Sequence, residues 1–514
     1  ETAKGLGELS PLPVSPIRAP GEHDSLDHRI QEWNERPSPG IAADLVSAAF
    51  TVGRIDEATE AAEFLLNEHP FSTPLSRRVA ALVLGRRLEE TGEEDVVGNS
   101  SLEKLRLDIR QCRNRTNVNP RNGIAWVDLG RAYLALGLKE KSKEAIEVGL
   151  NLFPENRFIL RSAARLWIST QEFEHAHSIL RRARATSEDP WLMAAEIASA
   201  ALAEQVPRNV RRARQLLEAK SVPPFHLSEL AAAVGTMELK GGSDKKARKL
   251  FLQSLDDPTD NSLAQIEWAS KKLSSFSLSD EELKMPYSYE ARALSHYRLE
   301  EWRNTIAECR KWHLDEPFSS RPTTLASFIA EEFLDDYETG ESLSRMGLES
   351  RPSDPTLLNN LAYSLALQGR LGEASCVIAQ VEHIEVNNRE RVCLLATQGL
   401  LKFREGNVPG GRDFYQRAIT EAREVRLDDL EARARINLCN EEVRVGSEES
   451  VVSLHDVIES VKKISPKDVK VALRKLSKSV SQGDQSKRKE LSSSLDILKQ
   501  ILTSSQTSSP ESST

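Results

Sequence analysis

Residues 122–154, NGIAWVDLGRAYLALGLKEKSKEAIEVGLNLFP, decide the fold of this chain. Trp126, Leu129, Gly130 and Tyr133 recur at intervals of three and four residues, the repeat of one helix face. After a short break, Ser142, Ile146 and Gly149 mark a second helix, and Pro154 stops it, because proline lacks an amide hydrogen and clashes with the preceding turn. Large residues here fill the space between two helices and small ones let the helices approach. The stretch therefore predicts a helix–turn–helix hairpin.

The same phase runs outward in both directions. Ala58 with Pro70, Ser142 with Pro154, Thr305 with Pro317 and Gly340 with Pro352 keep one interval from the small residue opening the second helix to the closing proline. Ser142, Ala176, Ala213 and Ala247 lie 34, 37 and 34 residues apart, and Thr305, Gly340, Ala374 and Gly411 follow at 35, 34 and 37. Helices and loops of unrelated lengths do not keep such a period. Asn360, Leu361, Ala362, Leu365 and Ile378 repeat the pattern around Ala374, as do Gly399, Gly406, Tyr415 and Ala418 around Gly411.

Over roughly residues 40 to 440 the chain resembles the tetratricopeptide repeat, on Trp126, Leu129, Gly130, Tyr133, Ala176, Ala247, Ala374 and Gly411. The resemblance implies an all-α, right-handed superhelix of antiparallel helix pairs. Asp108, Cys112 and Arg115 depart from the pattern in the repeat before Pro120. From Ala247 to Thr305 the interval is 58 residues, too long for one unit and too short for two. The expected organisation is a first arc over 41–274, an irregular connector over 275–286 and a second arc over 287–445.

The ends differ from the body. Residues 1–40 carry Pro11, Pro13, Pro16, Pro20, Pro37 and Pro39 with little apolar periodicity, and read as a linker or extended strap. The chain opens on Glu1 rather than methionine, which predicts a piece of a longer polypeptide, with any enzymatic domain upstream. Over 446–503 capping helices are expected. Ser465, Pro466 and Asp468 form a helix start. Val469, Leu473, Leu476 and Val480 follow on one apolar face, and Leu491, Leu495, Leu498 and Leu502 on the next helix. Residues 504–514 read as a disordered tail.

Charge separates the same way. Residues 461–490 hold ten Lys or Arg against three Asp or Glu, about +7, which leaves about −16 elsewhere in a chain of net charge −9. A basic amphipathic segment of this kind can meet nucleic acid, an anionic membrane or the acidic body of its own chain. The acidic remainder disfavours a protein built for phosphate backbones, so an intramolecular or solvating role is the leading reading.

No strong catalytic signature is present: no GxxxxGK[ST] loop, HExxH, paired CxxC or GxSxG elbow. His175 and His177, two positions apart on a helix, diverge by about 200° and do not chelate. Cys309 and His313 share a face, but Cys309 holds a packing position and no orienting carboxylate is evident. The acidic runs 93–95 and 256–260 lack calcium-loop spacing. No metal and no cofactor is expected. Cys112, Cys309, Cys376, Cys393 and Cys439 are scattered and odd in number, which favours a reducing, cytoplasmic compartment. No apolar run reaches the roughly 18 residues of a membrane span.

The resemblance further implies that first helices line a groove that reads a protein or peptide partner. Mapped onto this chain, the groove positions include Arg131, Arg161 and Arg165 in one region, and Asn359, Asn360 and Tyr363 in another. The arginine fork suits carboxylates, so the first cluster predicts an acidic ligand, unless neighbours such as Asp128 take it up. The lysine and asparagine arrangement that grips chaperone tails in some relatives is not reproduced. The expected function is a non-enzymatic interaction scaffold. Its alternatives are a regulatory arm of a larger enzyme or, more weakly, nucleic-acid binding through residues 461–490.

Overall fold

A computed structural model describes residues 26–52, 54–68, 79–81, 83–85, 100–219, 222–273, 276–461, 465–482, 496–497 and 499–500. Among these the regular structure is helical throughout. Helices α1 (Leu26–Glu35), α2 (Pro39–Val52) and α3 (Thr59–Glu63) are followed by α4 (Ser100–Val118). Hairpins then run α5 (Gly123–Ala135) with α6 (Lys139–Leu152), α7 (Arg157–Ser169) with α8 (Phe173–Arg182), α9 (Pro190–Leu202) with α10 (Val210–Ala219), and α11 (Pro224–Lys240) with α12 (Asp244–Ser254). Next come α13 (Asp260–Ser270), the one-turn α14 (Asp280–Leu283), α15 (Tyr289–Arg298) and α16 (Trp302–Asp315). The remaining pairs are α17 (Arg321–Phe333) with α18 (Tyr337–Ser350), α19 (Pro355–Leu367) with α20 (Leu371–Ala379), α21 (Asn388–Arg404) with α22 (Val408–Glu424), and α23 (Asp428–Arg444) with α24 (Ser450–Val461). Helix α25 (Pro466–Gln482) closes the series.

Local chemistry sets these boundaries. First helices start on side-chain caps: Asn122 accepts from the Ala125 amide at 3.1 Å, Asn156 from Ile159 at 3.1 Å and Asp189 from Trp191 at 2.9 Å. Pro190, Pro224 and Pro355 sit in the first helical turn, where a missing amide costs nothing. Second helices end before proline, with Pro154, Pro317 and Pro352 each following closely on the last helical residue. Between the two helices of a pair, one residue adopts the left-handed conformation that ends the first helix: Gly137, Gln171, Glu204, Gly242, Glu300, Asp335, Gly369, Gly406 and Gly446.

The small-residue markers are buried at the contacts between helices. Ser142, Ala176, Ala213, Ala247, Thr305 and Ala374 are all 2% exposed or less. A Cβ on Gly130 would lie 2.8 Å from Ile146 Cγ1 and 3.1 Å from the Ser142 carbonyl, so glycine is what lets α5 and α6 meet. Second helices also pack on the next first helix, as α8 on α9 and α18 on α19, and first helices pack on first helices, as α11 on α9 and α13, and α23 on α21 and α25. These are tetratricopeptide-like repeats in an all-α solenoid, each unit burying its core against its neighbours.

The chain divides into two compact units, Glu1–Ala291 and Arg292–Thr514. In the first, Phe276 and Leu278, within the expected connector, are buried beside Phe251 and Ala291. The short α14 stands there in place of a full second helix, which accounts for the 58-residue interval. Cys112 and Ile109 of α4 pack against Leu129 and Tyr133 despite the departures at Asp108 and Arg115.

One expectation is corrected. From Leu26 onward the proline-rich strap is a packed helix, with Leu26 and Trp33 each 6% exposed and Arg29 Nε donating to Asp44 at 2.8 Å. Trp33 and Leu26 supply the apolar contacts that sparse periodicity did not reveal. At the other end, Ser465 Oγ bonds Asp468 Oδ2 at 2.6 Å, and Val469, Leu473, Leu476 and Val480 are buried against Ile436, Cys439, Val457 and Val461. Residues 1–25, the acidic run 93–95, Pro70, the leucine face from Leu491 to Leu502 and the tail 504–514 lie outside the described residues.

Candidate functional site in the first-helix grooves

In the first unit the arginines expected to read a ligand are deployed unequally. Arg161 reaches from α7 to Glu229 of α11, Nη2 to Oε2 at 2.5 Å, and its guanidinium lies 4.8 Å from the ring centroid of Trp191 on α9. An ion pair and a cation–π contact thus bind three successive first helices through one side chain. Glu229 is 5% exposed on its side chain and sits where a ligand carboxylate would. One turn earlier Arg157 pairs with Asp189, the cap of α9. Arg131 is half-buried and Arg165 is exposed, and each has interactions of its own. Asp128 Oδ1 is buried without a hydrogen-bond partner. Burial pushes the Asp128 carboxyl up to about 7, with the charges of Arg131 and Arg115 opposing the rise.

The second expected cluster also bridges helices. Asn360 Nδ2 donates to Ser327 Oγ of α17 at 3.0 Å, and Asn359 Oδ1 accepts from Thr397 Oγ1 of α21 at 2.8 Å. Together they fasten α19 to the first helices on either side. Tyr363 is half-buried, and its hydroxyl accepts from Lys475 Nζ of α25 at 3.5 Å.

Helix α25 shows where the described part of the basic segment, residues 465–482, is held. Lys475 Nζ pairs with Glu332 Oε2 at 2.6 Å, Lys470 Nζ with Glu300 Oε2 at 2.9 Å, and Lys478 Nζ with Asp335 Oδ2 at 3.3 Å. Arg474 pairs with Asp335 at 3.3 Å and donates to the Glu332 carbonyl at 2.6 Å and to the Phe333 carbonyl. Those carbonyls end α17, where partners inside the helix run out and the dipole is negative. Arg433 of α23 completes the ring by pairing with Asp468 at 3.0 Å. Every one of these contacts falls on a first helix or the turn ending it.

The electrostatics of adjacent residues diverge. Burial holds the Glu331 carboxyl well above the ordinary carboxylate range, and Ser364 Oγ donates to Glu331 Oε1 at 2.8 Å. Burial alone would raise Glu332 as well. The charges of Lys475, Arg433 and Arg474 outweigh it and hold Glu332 below its usual range. Glu331 therefore bridges α17 to Ser364 of α19, and Glu332 is the carboxylate that receives lysine.

The candidate reactive pairs are accounted for by packing. His175 is exposed with its ring against Trp167, whereas His177 is 1% exposed, so the two point apart. Cys309 and His313 are 1% and 8% exposed, and burial lowers the His313 imidazole to about 4. Cys112, Cys309 and Cys439 are buried free thiols, Cys393 half-buried and Cys376 exposed. Among the described residues no group of three or more His, Cys, Asp or Glu side chains is gathered as a metal site, and no helix is long and apolar enough to cross a membrane.

Sequence reasoning missed Glu300, Glu332 and Asp335. The available signal was the spacing of Lys470, Arg474, Lys475 and Lys478, which puts four cations along one edge of a helix whose apolar face is already assigned.

No family model matches the chain, and no curated protein matches it by sequence. Solved structures similar to it include yeast Tom70, at 12% identity over 92% of this chain and 97% of that one, with a TM-score of 0.31. The APC/C hetero-tetramer Cut9–Hcn1 is similar at 12% identity over 93% of this chain and 92% of that one, with a TM-score of 0.37. Human IFIT1, in a dimer with PPP-AAAA, is similar at 11% identity over 89% and 93%, with a TM-score of 0.35. The tetratricopeptide-like character of the chain rests on its own hairpins and their buried small residues.

Proposed function

We propose that the chain is a non-enzymatic scaffold or adaptor that holds a protein or peptide segment against the face formed by its first helices. The observation that carries this reading is that the face in the second unit accepts a helix, α25, through charge pairs and backbone carbonyls. A surface with that chemistry suits another polypeptide segment. Asn359, Asn360 and Tyr363 are its supporting wall. In the first unit Arg131, Arg161 and Arg165 are the positions on this face that an acidic ligand would meet, and Glu229 already pairs with Arg161. The pairing of Lys470, Arg474, Lys475 and Lys478 with carboxylates supports an internal role for the basic segment over a nucleic-acid one. Scattered free thiols fit a reducing compartment such as the cytoplasm.

Photo-cross-linking tests the proposal. A benzophenone side chain is placed singly at Arg165 or Asn359 on first helices, and at Glu144 or Arg417 on second helices, in the native cells. Partners are expected to cross-link from the first-helix positions. Cross-links from the second-helix positions alone, or from none, overturn the reading.

A further inference from the structure

Glu300 and Asp335 occupy equivalent places, each the left-handed residue in the turn after a first helix, at φ 61° and 53°. Gly137, Gly242, Gly369, Gly406 and Gly446 fill this place in five other pairs, and Gln171 and Glu204 in two. Glycine is the unstrained choice there, so an acidic side chain accepts backbone strain. In these two neighbouring repeats that side chain receives a cation from α25: Lys470 on Glu300, and Arg474 with Lys478 on Asp335. Glu332 lies between them and takes Lys475. Three carboxylates and the carbonyl end of α17 thus form a row matched to cations at positions i, i+4, i+5 and i+8 of a helix.

We propose that this row is a recognition site for a basic amphipathic helix of a partner protein, and that α25 is its built-in competitor. This deepens the scaffold reading and rests on it. The pairs at Glu300 and Asp335 are half-exposed, with Lys470 and Lys478 at 44% and 56% exposure, and such pairs weaken with salt. Lys475 with Glu332 is the anchor, at 9% and 16% exposure. The acidic row selects for charge spacing, its half-exposed pairs are the ones a competing helix takes over first, and that helix must also replace the buried apolar face of Val469, Leu473, Leu476 and Val480. A partner helix competes by presenting the same four cations. The helix end at Phe333 adds direction, because only a fork such as arginine at i+4 reaches the Glu332 and Phe333 carbonyls together.

The test uses the full chain and a fluorescent peptide spanning residues 465–482. Against the wild type, where α25 occupies the row, anisotropy is expected to show weak binding. Reversal of the resident cations, K470E, R474E, K475E and K478E together, sets carboxylate against carboxylate and releases α25. Peptide affinity is then expected to rise at least tenfold, and adding E332K and D335K is expected to abolish the gain. Hydrogen exchange over 466–482 reports release directly. In the wild type, raising salt from low to high concentration is expected to speed exchange in this segment more than in α21, a measurement that needs no variant. Peptide binding unchanged by release of α25, or exchange over 466–482 indifferent to both salt and charge reversal, overturns the proposal. If first-helix cross-links to cellular partners persist while the peptide fails, the scaffold reading stands and only the basic-helix ligand falls.

Discussion

Trp191 Nε1 donates to His226 Nδ1 across 3.2 Å, and that one bond fixes the protonation of the imidazole. An indole nitrogen only donates, so Nδ1 carries the lone pair. Nε2 therefore carries the hydrogen and gives it to the Phe50 carbonyl at 2.8 Å. A neutral histidine 3% exposed thus joins α2 to α9 and α11. Burial, aided by the charge of Arg157, lowers its pKa to about 4, against the opposing pull of the Phe50 bond.

This lowering predicts acid lability in the first unit. Between about pH 6.5 and 4 the unfolded chain binds a proton that the native His226 refuses, so stability is full above 6.5 and is lost as pH falls toward 4. The lowering from the ordinary value corresponds to roughly 3 kcal/mol as an upper figure. Thermal melts at pH 7.5, 5.5 and 4.5 should decline for wild type and less steeply for His226→Gln, whose amide does not titrate. Equal slopes would remove His226 as the cause.

Asp128 predicts the opposite sign. Its carboxyl is raised to about 7, so the native state holds a proton that the unfolded chain releases above about 3.8, and stability falls as pH climbs between these values. Asp128→Asn, which removes the charge and keeps the shape, is expected to raise stability at pH 8 by roughly 1–3 kcal/mol and to change little at pH 4. Urea denaturation at both values decides it, and a destabilised variant at pH 8 contradicts the assignment.

Packing at the repeat phase is tested at Gly130 and Ala176. A methyl on Gly130 collides with Ile146 and with the Ser142 carbonyl, so Gly130→Ala should cost roughly 1–3 kcal/mol by overpacking. Pairing it with Ile146→Val should recover part of the loss, because one of the two obstacles is a side chain. Ala176 is fully buried, and Ala176→Asp should lower the melting temperature markedly. An unchanged melt for Ala176→Asp would mean that α8 does not pack through this face.

These positions are legible in the sequence because repeat packing is local. A small residue in the second helix meets a fixed partner in the first, and the spacing Ser142, Ala176, Ala213, Ala247 records it. The site was less legible for a physical reason. Arg161 and Glu229 are 68 residues apart, so the arginine read as ligand-seeking when its internal carboxylate lay in a distant repeat, and Lys475 and Glu332 are 143 apart, so an internal role for the basic segment could be read but not its acceptor. Asn360 had the same ambiguity, since its bond to Ser327 and a bond to a ligand use the same amide. The packed α1 escaped notice because Leu26 and Trp33 are too few to set a period.

Arg161 and Arg165 then give a prediction that separates structure from binding. Arg161→Glu places a carboxylate against Glu229, which is nearly buried and whose Oε1 lies 3.4 Å from Thr259 Oγ1. Removing one partner of such a pair leaves the other uncompensated, a loss of roughly 3–5 kcal/mol, and a reversal adds repulsion. Arg165 is exposed, so Arg165→Glu should shift stability by about 1 kcal/mol or less. Replacing both members, Arg161→Met with Glu229→Leu, should cost less than Arg161→Met alone, because no buried charge is stranded. A double-mutant cycle in urea measures this coupling. Additive losses across the cycle would show that Arg161 is held by Trp191 and the solvent rather than by Glu229, and would return its charge to the groove as a ligand contact.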